Sequence, residues 1–129
     1  MYFRALLVWL IIISAETVHG IARTVFLAPL TGDFRARQIA VFLAIIIIFS
    51  ITFLFIRWIA AKDRRELLIV GAIWVLLTLA FEFGLGFLLG LPAERILEDY
   101  NILKGGLMPI GIIAMLFSPL LAARIRNNP

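Results

Sequence analysis

The sequence predicts an all-α integral membrane protein with four transmembrane helices and a short amphipathic helix between the third and the fourth. Hydrophobic residues make up 64% of the chain and charged residues only 16%, whereas a soluble domain is about 45–50% apolar and about 25% charged. The mean hydropathy is +1.10. The apolar residues fall into four stretches, and one transmembrane helix needs about 20 apolar residues. Because four spans nearly fill 129 residues, we predict one membrane domain over residues 1–129.

The first two predicted spans cover residues 5–30 and 39–60. Apolar residues continue on both sides of Gly20, so we interpret the first stretch as a spanning helix rather than a cleaved signal peptide. The second is the most apolar, with only Ser50 and Thr52 interrupting it before Arg57. We therefore expect the second span to lie on the lipid-facing side of the bundle.

The other two predicted spans cover residues 67–91 and 107–123. The third contains Ala80 and Gly84 at a spacing that permits close helix packing. Pro119 in the fourth is expected to kink or end the helix. In the connection between these spans, Ile96, Tyr100 and Leu103 have helical spacing after Pro92, which predicts the short amphipathic helix.

Lysine and arginine predict the orientation. The side that holds both termini and the middle connection carries seven of them, and the other side carries four: Arg4, Arg57, Lys62, Arg64, Arg65, Arg124 and Arg126 against Arg35, Arg37, Arg95 and Lys104. Since basic residues are retained on the cytoplasmic side, we predict that both termini are cytoplasmic.

Composition also excludes several function classes. The chain has no cysteine, which excludes a thiolate metal site and a thiol nucleophile. The sequence pI is near 10.4, but the basic residues flank apolar spans, so we expect the lipid bilayer and not nucleic acid as their partner. No phosphate-binding glycine loop, nucleotide fingerprint or Ser–His–carboxylate spacing is present, and we expect no cofactor.

Four ionisable residues inside predicted spans form the candidate site. An ionisable residue costs about 2.5–3.5 kcal/mol at the centre of a span, so each needs a partner or a water-filled cavity. Glu16, His19 and Arg23 share one face of the first helix, and Glu82 lies at a comparable depth in the third. We therefore predict a polar site between these two helices, open to the outer face of the membrane.

Several interpretations of this site stay open. The four residues form either a structural ion-pair network or a site that binds or conducts an ion, a proton or a small anionic solute. The second interpretation implies a homo-oligomer or a partner membrane subunit. An alternative is a metal site, because Glu16 and His19 have the i, i+3 spacing of helical metal ligands and Glu82 could be a third. The last is a membrane-embedded enzyme for a lipid-like substrate, or an accessory subunit of a larger membrane complex.

Two further pairs belong to the predicted binding residues. Arg35 and Arg37 alternate around Ala36 and could receive a phosphate or carboxylate group, or extend their guanidinium groups to the membrane interface. Asp99 and Tyr100 are candidates for an acid–base pair, or else belong to a solvated helix surface. Whether the protein is an enzyme does not follow from these patterns.

Overall fold

Five α-helices and one π-helical turn make up the described structure. The computed structural model describes residues 2–92, 94, 97 and 106–127. The helices are α1 (Tyr2–Ala22), α2 (Ala28–Thr31), α3 (Asp33–Ile59), α4 (Arg64–Leu88) and α5 (Met108–Asn127), and the π-helical turn Arg23–Leu27 joins α1 to α2. The described residues contain no strand.

Four helical segments are long and apolar enough to cross a membrane: Tyr2–Thr31, Phe34–Ile59, Arg64–Leu88 and Met108–Arg126. The number of predicted spans is confirmed, with each boundary shifted by a few residues. Pro119 does not end the last helix, which continues to Asn127. The predicted amphipathic helix falls almost wholly on residues outside the described part of the chain and stays a prediction.

The helices form a bundle in which each long helix packs mainly on two others. The segment containing α1 packs against α3 and α4, and α5 packs against the same two helices on the opposite side. We call the end that carries Tyr2, Ile59 and Arg64 the proximal end, and the end that carries Thr31 and Leu88 the distal end. Helix α3 contacts both α1 and α5, and the buried share of its most apolar stretch, 22%, is lower than that of the other three segments. The expectation that the second span faces lipid stays a prediction.

The apolar core lies towards the proximal end. Its largest fully buried side chains are those of Val8, Ile12, Ile59, Val70 and Trp74. Two tryptophans join α1 to α4: Trp9 Nε1 donates to Thr78 Oγ1 at 3.0 Å, and Trp74 Nε1 donates to the Ala5 carbonyl at 2.9 Å. The proximal half of the bundle is therefore closed by packed and hydrogen-bonded side chains.

Three arginines bind backbone carbonyls at the proximal end. Arg4 Nη1 donates to the Trp58 carbonyl at 2.9 Å, and Arg57 Nη2 donates to the Arg126 carbonyl at 2.9 Å. Arg126 Nη1 in turn donates to the Phe53 carbonyl at 2.6 Å. These bonds link α1 to α3 and α3 to α5. Trp58 and Arg126 belong to the last turns of their helices, whose carbonyls have no partner within the helix, whereas Phe53 lies further inside α3.

A polar turn explains where α4 begins. Asp63 is the N-cap, and its Oδ1 accepts from the Glu66 backbone N–H at 2.9 Å. Glu66 Oε1 accepts from the Lys62 backbone N–H at 2.6 Å. This reciprocal arrangement satisfies donors that would otherwise lack partners at a helix start.

The π-helical turn in the first span is accounted for by Pro29. Proline has no N–H, and its ring clashes with the carbonyl four residues earlier, here that of Val25. The wider turn moves this carbonyl away, and the Ala28 N–H bonds to the Arg23 carbonyl, five residues back. The helix therefore continues to Thr31 with its face rotated at Arg23.

Candidate intramembrane binding cavity

The polar side chains gather around one cavity in the distal half. Its volume is about 480 Å³, within the range of small-molecule sites. All four long helical segments contribute to its wall. The charged and amide side chains in the lining are those of Glu16, His19, Arg23, Arg37, Gln38 and Glu82.

The first span supplies the three residues that were predicted to share one face. Glu16 Oε2 and His19 Nδ1 are 3.7 Å apart, and their side chains are 17% and 16% exposed. This separation is too long for a hydrogen bond, and the two groups form an ion pair only when the imidazole is protonated. Glu16 Oε1 is buried and has no hydrogen-bond partner among the described residues.

Arg23 stands where the helix changes its winding. It is the first residue of the π-helical turn, and its guanidinium is within electrostatic range of the His19 imidazole. Its Nε is buried without a hydrogen-bond partner in the part of the chain that the structure describes. Single π turns inside α-helices are frequent at functional sites, and this one places a cation on the cavity wall.

Glu82 brings the second carboxyl group to the cavity from α4. It lines the wall and is within electrostatic range of Glu16. The Trp9 and Phe81 rings pack edge to face at 6.5 Å between the same two helices, and Phe81 itself lines the cavity. The predicted meeting of the first and third spans is therefore confirmed at these contacts.

The structure separates Arg35 from Arg37. Arg37 is buried, lines the cavity and lies over the Phe34 ring at 5.2 Å. Arg35 is exposed and does not line the cavity. Residues two positions apart along a helix are rotated by about 200° relative to each other, so only one of these arginines can face the interior.

Gln38 in the cavity wall was missed by the sequence analysis. The predicted second span starts at residue 39, which leaves Gln38 in the connection before it. Helix α3 begins at Asp33 because Gly32, with φ +87°, reverses the chain directly before it. The Gly32-Asp33 pair after Pro29 is a signal from which the earlier start could have been predicted.

The remaining predictions about the site have unequal outcomes. Asp99 and Tyr100 lie outside the described residues. In the part of the chain that is described, no group of three or more His, Cys, Asp or Glu side chains is arranged to hold a metal ion. The metal site predicted from Glu16, His19 and Glu82 therefore has no support from the geometry.

No known family model, curated protein or solved structure matches this chain. Function is therefore inferred from the cavity and its chemistry.

Proposed function

We propose that the protein is a small membrane protein that binds a small anionic solute in the distal cavity. The observation that carries this proposal is that the guanidinium groups of Arg23 and Arg37 and the amide of Gln38 line the same cavity. Guanidinium groups present planar pairs of donors that match carboxylate and phosphate oxygens. In a site removed from water, such charge-assisted hydrogen bonds favour an anionic group.

Glu16 and Glu82 give the site a balanced charge before the solute arrives. Two carboxyl groups and two guanidinium groups line the same cavity, together with the imidazole of His19. An anion that enters adds one negative charge, which a proton on this cluster offsets. We therefore include proton binding at Glu16, His19 and Glu82 in the proposed function.

The closed proximal half supports binding rather than a permanently open channel. The packed core around Trp74 and the Trp9–Thr78 hydrogen bond lie between the cavity and the proximal end. Passage of a solute through the whole bundle would require these contacts to separate. Conduction would therefore need a further conformational change, and binding of the solute is the function that the geometry supports best.

The excess of basic residues at the proximal end supports an orientation in which both termini are cytoplasmic. The distal cavity would then lie in the outer half of the membrane. Self-association is part of the proposal because Ala80 and Gly84 are exposed, and in the described part of the chain no atom outside the helical turn of Gly84 lies within 4 Å of a Cβ placed on it. This surface is open to a second copy or a partner subunit.

Binding of anions to the purified protein tests the proposed function. In an uncharged detergent, we expect Arg37→Gln to weaken binding of an anionic probe by about tenfold or more, the cost of a lost charged hydrogen bond. Arg23→Gln should act in the same direction. Arg35→Gln is the matched control, since it removes the same charge from outside the cavity. The probes are inorganic phosphate, acetate and dodecyl phosphate.

The proposal requires that at least one of these probes binds in a manner sensitive to Arg37 and insensitive to Arg35. If all three probes bind equally to the wild type, Arg37→Gln and Arg35→Gln, or if none of them binds, the cavity is not an anion site.

A further inference from the structure

We infer that the ligand of the cavity is an anionic amphiphile that enters sideways from the bilayer between α1 and α4. This inference rests on the proposed function and adds the class of ligand and its route. The shared chemistry is a phosphate or carboxylate group, and the inferred source is a molecule that carries an apolar chain.

The cavity reaches the outer surface of the bundle between these two helices. Ile21 and Val25 line the cavity and are 60% and 56% exposed, and Leu85 lines it from α4 and is 38% exposed. Gly20 also lines the cavity, and among the described residues outside its own helical turn no atom lies within 4 Å of a Cβ placed on it. The described contacts between α1 and α4 therefore do not close the wall at this level.

This opening lies at the depth of the hydrocarbon core of the bilayer. The first span is about 45 Å long at about 1.5 Å per residue, and the hydrocarbon core is about 30 Å thick, so each end extends about 7 Å beyond a centred core. Ile21 is about 15 Å from the distal end of this span, by the same rise. A molecule that enters beside Ile21 therefore comes from the lipid phase.

The two arginines of the cavity lie at different depths in the membrane. Arg37 lies four residues from the start of α3, about 6 Å from the distal end of that helix. This is the level of lipid headgroups, where an anionic group and the end of an apolar chain meet. Arg23 lies deeper in the same cavity, so a headgroup at Arg37 can be held from two sides.

The rest of the cavity wall is mainly apolar. Sixteen of the 24 lining residues are apolar or glycine, which leaves most of the surface without hydrogen-bonding side chains. A fully hydrated inorganic anion would lose water at such a wall without replacement. An alkyl chain gains free energy by contact with the same wall and extends through the opening into the bilayer.

Equilibrium binding of labelled dodecyl phosphate, with the protein in dodecyl maltoside micelles, tests the inference. We expect the wild type to bind dodecyl phosphate at least tenfold more tightly than inorganic phosphate. Arg37→Gln should weaken binding by about tenfold or more, and Arg35→Gln should leave it unchanged. Gly20→Leu should weaken it because the added side chain occupies the opening.

Gly84→Leu is the matched control for Gly20→Leu, since it adds the same side chain to an exposed helical glycine that does not line the cavity. If Gly20→Leu does not fold, Leu85→Trp narrows the same opening from α4. Unfolding temperatures of all variants identify those that are folded.

The outcomes separate the two proposals. Equal, Arg37-dependent binding of inorganic and dodecyl phosphate overturns the amphiphile and leaves the anion site intact. Preference for dodecyl phosphate that neither Gly20→Leu nor Leu85→Trp reduces overturns the sideways route. Binding of all anions that is insensitive to Arg37 overturns the proposed function together with this inference.

Discussion

Thr78 joins three helices through one hydroxyl group. It accepts a hydrogen bond from Trp9 on α1 and donates to Met115 Sδ on α5 at 3.3 Å. Inside a bilayer no water replaces a lost partner, although measured hydrogen bonds between membrane helices average only about 0.6 kcal/mol and reach about 1.7 kcal/mol. The hydroxyl therefore contributes to stability mainly by leaving the indole N–H of Trp9 satisfied.

Thr78→Val should lower the free energy of unfolding by about 1 kcal/mol, because it removes the acceptor of Trp9 and keeps the side-chain shape. Denaturant titration in mixed micelles, followed by tryptophan fluorescence, measures the change. Thr78→Ser retains the hydroxyl and is expected to stay closer to the wild type than the valine variant. A valine variant as stable as the wild type would show that the hydroxyl does not support the bundle.

The sequence predicts the candidate site at residue scale only in part. The common face of Glu16, His19 and Arg23 follows from helical spacing, and all three line the same cavity. The choice between Arg35 and Arg37 does not follow, because the two residues differ only in the face of α3 that they occupy. That face depends on how α3 packs against α1 and α5, which is a tertiary property.

At the scale of elements, one glycine sets the distance between α4 and α5. A Cβ placed on Gly71 would lie 2.0 Å from the Leu116 carbonyl oxygen. The two backbones can approach this closely only because the residue has no side chain. Gly84, which the spacing to Ala80 suggested as a packing residue, has no such neighbour in the described structure.

Gly71→Ala should separate α4 from α5 and lower stability by about 1–3 kcal/mol, the usual cost of overpacking. Gly84→Ala makes the same chemical change where no atom of the described chain is near, and should leave stability unchanged or slightly higher. The thermal unfolding temperatures of the two variants provide the comparison. Equal effects of the two substitutions would contradict the close approach at Gly71.

The π-helical turn limits what helical spacing alone predicts about the first span. A regular turn of about 100° per residue describes α1 up to Ala22. Beyond Arg23 the extra residue in the turn rotates the faces of Val25 and Leu27 relative to that pattern. Pro29 is the signal in the sequence, but a proline can end, kink or widen a helix, so packing decides which of these occurs.

At the scale of the whole molecule, the two halves of the bundle differ. Buried apolar side chains and tryptophan hydrogen bonds concentrate near the proximal end, and the cavity occupies the distal half. Hydropathy predicted the four spanning helices because each contains a long stretch of mainly apolar residues. It could not predict this division, since partly exposed residues such as Ile21 and buried ones such as Ile12 are equally apolar.

The proposed orientation can be tested directly because the chain has no cysteine. A membrane-impermeant maleimide applied to intact cells should label Arg35→Cys, at the distal end. It should label Lys62→Cys, at the proximal end, only after permeabilisation. Both positions are exposed, and each substitution leaves the excess of basic residues on the same side. The reverse pattern of labelling would place the cavity in the inner half of the membrane.

The arginines that bind carbonyls at the proximal end also have a consequence for biogenesis. In the proposed orientation, Arg4, Arg57 and Arg126 are hydrated charges that resist translocation of their flanks while the chain is being inserted. After the helices assemble, the same guanidinium groups hold the carbonyls of Trp58, Arg126 and Phe53. The hydrogen bond of Arg4 can therefore form only when α1 and α3 have both reached their final positions, and those of Arg57 and Arg126 only when α3 and α5 have done so.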